Sequence, residues 1–185
     1  MHMHQAFGYQ YAAWQPVTTD STPIGTKSPY YGSIFVAAAL GDLVSHSVQV
    51  ANLSSPGSDV EFDSAYAVYV DGSLSKIAVM NLRIYNYNLP GTATLNDVKR
   101  GIQTCSFDVR HKRGGSKGEV GVHRLKANGS DALSGITWDG LSYNWDLDEG
   151  KPVRLHNVTT GEIAKVKKGV VSVAVLDSEA VLLCC

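Results

Sequence analysis

A chain of 185 residues with 16 Lys and Arg against 17 Asp and Glu carries a formal net charge of −1, and 18% of it is charged. That balance excludes a general attraction to nucleic acid or to an anionic membrane, and the length suits one sizeable core or a main domain with an appendage. No run reaches the roughly 18 apolar residues a membrane helix needs, and the opening MHMHQAFGYQ lacks a basic region followed by an apolar one, so no signal peptide is read there.

Residues 1–16 are dense in aromatics and glycine without a strand or helix pattern, and 17–29 continue as polar loop with Pro23 and Gly25. From Tyr30 to Leu43 the spacing predicts a helix, with Tyr31, Ile34, Phe35, Ala38 and Leu43 on one face, Pro29 at the entrance and Gly41 near the exit. After Ser45 the period switches to two. Val48 and Val50 alternate with polar neighbours, and Ser54 to Ser58 turns the chain.

The stretch Ala65 to Asn88 reads as a β-hairpin joined through Asp71-Gly72. Its second arm, Ile77-Ala78-Val79-Met80, is apolar at successive positions, which predicts an inner strand covered on both faces. A polar loop with Pro90-Gly91 follows. Gln103 to Arg110 and Glu119 to Leu125 are expected to form a second hairpin around the basic loop, and Asp139-Gly140 is expected to turn a third. Short strands are expected near Val153 to His156 and Glu162 to Lys165, then Val170 to Leu176 and Ala180 to Cys184. Turn residues recurring at such short intervals imply a mainly β fold, an antiparallel β-sandwich preceded by one α-helix.

Candidate chemistry is sparse. The basic loop, with Lys112, Arg113 and Lys117 among glycines, lacks phosphate-loop spacing and precedes no helix, so a solvated hairpin tip is the simpler account. His2 and His4 have no third ligand nearby in sequence. His46, His111, His123 and His156 are scattered and read as surface or structural residues, which leaves no metal and no cofactor implied. Cys105, Cys184 and Cys185 lack metal spacing and read as buried thiols, with a bridge from Cys105 to the terminal pair as the alternative. Asn52, Asn128 and Asn157 open glycosylation sequons that suit an exported protein. Six of the sixteen aromatics, Phe7, Tyr9, Tyr11, Trp14, Tyr30 and Tyr31, fall in the first 31 residues. They suit core packing, or the stacking of sugar rings.

Several segments together resemble one family: Trp14-Gln15-Pro16-Val17, Pro29-Tyr30-Tyr31-Gly32, IAVMNLRIYN (77–86) and above all LKANGSDALSGITWDGLSY (125–143). They resemble the C-terminal part of the β-glucuronidases of glycoside hydrolase family 79, and the likeness covers nearly the whole chain. The resemblance implies that residues 1–44 are the last loop and helix of a (β/α)8 barrel and that 45–185 are the β-sandwich beside it. It implies that Gly8 and Tyr9 help hold a uronate carboxylate, with Tyr11 and Trp14 as neighbours, in a parent enzyme acting on uronic-acid glycosides. It implies an extracellular protein, an apolar helix face left by absent barrel neighbours, and one sheet edge open, because such sandwiches also take strands from before the barrel.

A catalyst is not implied. Retaining glycosidases use two carboxylates about 5 Å apart, whereas the first glutamate of this chain is Glu61. Three readings follow: a supporting domain inactive alone, a stand-alone uronate-binding module using the aromatic N-terminus, and a remnant or partner that associates with a separate barrel chain.

Overall fold

The computed structural model describes residues 12–20, 23–53, 62–87, 99–110 and 118–185. Its first described segment folds back on itself. Strand β1 (Trp14–Gln15) pairs with β2 (Gly25–Thr26), Trp14 standing opposite Thr26. The sequence reading had only loop here, since a two-residue ladder leaves no periodic trace.

Helix α1 (Ser28–Leu40) starts with Pro29 in its first turn, where a missing N–H costs nothing. It ends at Gly41, whose N–H donates to the Ala37 carbonyl. The helix therefore stops short of Leu43, which is 59% exposed rather than on the buried face. Tyr31, Phe35 and Ala39 form that face, one turn apart. The Lys76 ammonium donates to the carbonyls of Ala38 and Ala39, closing the negative end of the helix.

Strand β3 (Val48–Leu53) pairs with β4 (Asp63–Val70), and β4 with β5 (Ser73–Asn81), the predicted central hairpin. Its turn has Asp71 at φ 51° and Gly72 at φ 76°, the left-handed pair that a tight hairpin needs and that glycine adopts without strain. Next come β6 (Ile102–Asp108), β7 (Glu119–Lys126), β8 (Thr137–Trp138) and β9 (Leu141–Ser142), the last two turned by Asp139-Gly140 as predicted. A single helical turn, α2 (Trp145–Asp148), precedes β10 (Val153–Arg154), β11 (Glu162–Lys165), β12 (Val170–Leu176) and β13 (Glu179–Cys184).

The large sheet runs β10-β9-β8-β7-β13-β5-β4-β3, with β11 also on β7, and a two-stranded sheet, β12-β6, lies across it. All pairings are antiparallel. The expected β6–β7 hairpin does not form: β6 pairs with β12, while β7 pairs with β13, β8 and β11. Alternation reveals which side of a strand is wet but not its partner, and here the chain crosses between sheets after β6.

The core fills the space between the sheets, with Ile77, Val79, Val120, Val122, Val181 and Leu183 facing Val171, Val173 and Val175. On the other side of the large sheet Ala78, Ala180 and Leu182 pack under Phe35 and Ala39 of α1. Strand β5 is thus an inner strand with both faces covered. The helix has found the sandwich.

Candidate functional site

The resemblance puts substrate-holding residues at the N-terminus, and Gly8, Tyr9 and Tyr11 lie outside the described residues, as do His2, His4 and His111. Trp14 is described and is half exposed on β1. Ala12, Ala13 and Gln15 around it are buried, and Gln15 donates to the Val17 carbonyl at 2.8 Å. Behind this segment Tyr30, Tyr31 and Tyr143 meet edge to face at 5.7 to 6.2 Å. The buried Tyr31 hydroxyl accepts from the Tyr143 N–H at 2.8 Å and lies 3.2 Å from the Ser142 hydroxyl. Burial, then the neighbouring Tyr30 and Tyr31, hold the Tyr143 phenol protonated above its ordinary range. Phe35 meets Trp138 at 5.6 Å. These contacts lock the 125–143 segment to α1, so the aromatics after Trp14 are packing groups.

Most of the described carboxylates are engaged structurally. Asp42 accepts the N–H groups of Val44 and Ser45 beyond the helix end. Asp71 accepts from the Ser47 N–H at 2.9 Å and pairs with His46 at 2.7 Å, while His123 pairs with Asp139 at 3.1 Å. Asp63 receives Arg83 at 2.7 Å, and Asn81 ties Val175 to Asp177. Glu162 and Glu179 share a neighbour, Arg124, which holds Glu162 through two bonds of 2.6 and 2.7 Å and Glu179 at 3.4 Å. The Glu179 side chain is 1% exposed, so no substrate reaches it. Sequence reading missed the Arg124 cluster, because its members come from three strands far apart in the chain and no spacing announces them.

Arg124 also sets an acid sensitivity. Its hydrogen bond and charge hold the Glu162 carboxyl below the usual range. A group whose folded pKa is depressed stabilises fully above its unfolded value, about 4.3 for Glu, and loses that contribution as pH falls through the folded value. The melting temperature is expected to fall on acidification below about pH 4.5, less steeply in Glu162→Gln. With the Glu162 side chain 39% exposed, the difference is below about 1 kcal/mol. Identical pH slopes in the two proteins would show that the pair contributes nothing.

Cys105 and Cys184 are half-buried thiols. Burial foremost pushes both Cys105 and Cys184 up, which favours the protonated form.

A cavity of about 300 Å³ opens between the sheets alongside β6, lined by Leu53, Ala67, Leu74, Cys105 and Phe107 with Asp63 at its polar end. The Asp63 side chain is 8% exposed, and its Oδ2 is buried with no hydrogen-bond partner. Among the described residues, the outer edge of β6 is unpaired. An edge of free N–H and C=O groups beside an apolar trough accepts an added strand.

A family model described as the glycosyl hydrolase family 79 C-terminal beta domain matches residues 65–182. A β-glucuronidase of Aspergillus niger is 45% identical over 98% of this chain, which covers 33% of that protein. A β-glucuronidase of Neurospora crassa is 42% identical over 86% of the chain and is covered to 31%. The chain thus spans about a third of the length of these relatives. Among solved structures, a 4-O-α-L-rhamnosyl-β-D-glucuronidase from Fusarium oxysporum superposes with a TM-score of 0.67 at 24% identity, over 95% of this chain and 32% of that one. That likeness establishes the shared fold.

Proposed function

This chain belongs to the family of glycosyl hydrolase family 79 C-terminal β domains, and on that premise we propose that it is the supporting sandwich of a β-glucuronidase-like enzyme, without turnover of its own. The observation that carries this reading is the edge of β6 which, among the described residues, is unpaired, over an apolar trough whose lining includes Asp63, its Oδ2 likewise without a partner among them. A sandwich finished by further polypeptide leaves such an edge, and the relatives are about three times as long. Helix α1 supports the same reading: its outer side still carries Val36, which is 51% exposed. In this proposal residues 1–44 belong with a barrel and 45–185 form the sandwich. The barrel brings the glutamate pair that residues 1–60 lack.

The uronate contacts of Gly8 and Tyr9 belong to the same proposal, as do a glucuronide substrate and an extracellular site of action. Asn52, Asn128 and Asn157 are all exposed, which favours their glycosylation. Purified alone, the chain is expected to release no aglycone from an aryl β-glucuronide. Turnover that disappears on Tyr9→Phe would overturn the proposal. Co-purification with a barrel-only chain of a relative is the positive counterpart.

The second reading, an independent uronate-binding module, draws on the half-exposed ring of Trp14. Saturable heat on titration with glucuronate, lost in Trp14→Ala, would favour it.

A further inference from the structure

Basic residues outside the expected hairpin tip gather at the turn between β11 and β12. Arg110 and Gly118, which flank residues 111–117, both abut the turn between β11 and β12. The Val109 N–H donates to Gly169 O at 2.8 Å, and the Val166 N–H donates to Gly118 O at 2.9 Å. That turn is closed by mutual bonds between Lys167 and Val170 at 2.8 and 3.0 Å. Lys168 at φ 51° and Gly169 at φ 81° form its tip.

Lys165, Lys167 and Lys168 are exposed, and none has an ion-pair partner among the described residues. Two of them, with Val170 and Ser172, line a shallow groove of about 450 Å³. Ser172 is bonded to the Ser106 hydroxyl at 2.8 Å, one of the two donating to the other. The carboxylates nearby are Glu119, opposite Lys165 in the β7–β11 ladder, and Asp108, which the Arg110 guanidinium grips at the same end. Residues 111–117 carry three further cations in sequence; the groove is built without them.

We propose that this cationic end of the sandwich docks an acidic polysaccharide, a chain of uronate sugars. The ammonium groups of Lys165 on β11 and Lys167 at the turn meet successive carboxylates, the Val170 side chain offers an apolar wall to a sugar's C–H face, and the Ser172 hydroxyl reaches a sugar hydroxyl. Phosphate polymers are the poorer fit, because polyphosphate has no apolar face to set against Val170. The choice of uronate rests on the family reading of the preceding section; the groove and its charge do not. Its role would be to hold the enzyme on a polymeric substrate, raising the local concentration of chain ends.

The test uses the full 185-residue chain and de-esterified polygalacturonate, with neutral dextran, polyphosphate and heparin as comparisons. The expected result is binding to polygalacturonate at low salt, weakened by added salt, and none to dextran. The triple variant Lys165→Glu/Lys167→Glu/Lys168→Glu should weaken it about tenfold or more and flatten its salt dependence. Lys99→Glu/Lys151→Glu, which changes exposed lysines elsewhere, should leave affinity within about twofold. Matching circular dichroism melts keep a folding defect from being mistaken for lost binding. Absence of polygalacturonate binding, equal loss in both sets of variants, or binding confined to polyphosphate or to sulfated heparin overturns the proposal. Because turnover and barrel association are not read in this assay, failure here leaves the supporting-domain reading standing, and failure there leaves this result interpretable.

Discussion

Replacing Arg124 with leucine is expected to destabilise the chain by about 3–5 kcal/mol, the range for removing one partner of a buried charge pair. Arg124 is 12% exposed and faces Glu179, whose side chain is 1% exposed; Glu162 on the other side is 39% exposed. Glu179 Oε2 accepts the Leu176 N–H at 3.0 Å and the Arg124 guanidinium, while Oε1 has no hydrogen-bond partner. Without the guanidinium the buried carboxylate keeps one backbone donor and no counter-charge. The same guanidinium donates to the Ala174 carbonyl at 2.9 Å, so it also ties β7 to β12 across the sandwich. At about 2–4 °C per kcal/mol for a chain of this size, the melting temperature should fall by roughly 10 °C.

The double variant Arg124→Leu/Glu179→Leu separates causes. If the uncompensated charge dominates, the double variant is markedly more stable than the single one, because a well-packed apolar pair of similar volume often equals or exceeds a buried ion pair. If packing of the arginine stem dominates, the double variant is no better. A single variant within about 1 kcal/mol of the parent in urea unfolding would refute the assignment of Arg124 as the buried counter-charge.

The Leu183→Ala variant should lose about 3 kcal/mol, within the 2–5 range for a buried leucine truncated to alanine. Leu183 has no exposed surface and sits between Ile77 and Val122 in the register of the large sheet, over the valines of β12. A close-packed interior cannot collapse onto the missing methyls without moving two sheets, so a cavity term adds to the lost transfer energy. Ile163→Ala is the comparison: 58% exposed on β11, it should cost less than about 0.5 kcal/mol. Equal losses at the two positions would mean that the space between the sheets is not the stabilising core.

The 125–143 segment shows how much was readable before the fold was known. Its Asp139-Gly140 turn is local chemistry, because two left-handed residues in succession suit few other pairs. Its Gly129 depends on tertiary contact: a Cβ there would lie 2.6 Å from the Tyr85 carbonyl oxygen, which accepts the Ser130 N–H at 2.7 Å. Arg100 behaves likewise. In sequence it is one cation at the end of a polar loop; in the fold it donates to the carbonyls of Asp177 and Ala127 and lies over the Tyr85 ring. The Arg124 cluster and the Asp63 trough were invisible, since each joins strands whose pairing no local pattern states.

What the sequence by itself determined was therefore the strands from β3 onward, helix α1, the two tight turns and the family. Each rests on period, turn residues or a motif confined to neighbouring positions. What only the tertiary structure decided was the pairing: β6 with β12 rather than β7, and the β6 edge that this leaves unpaired among the described residues. The reason is geometric. An alternating strand declares which face seeks the core, but any other strand with a matching face can satisfy it, and the choice is made by the packing of two whole sheets at once.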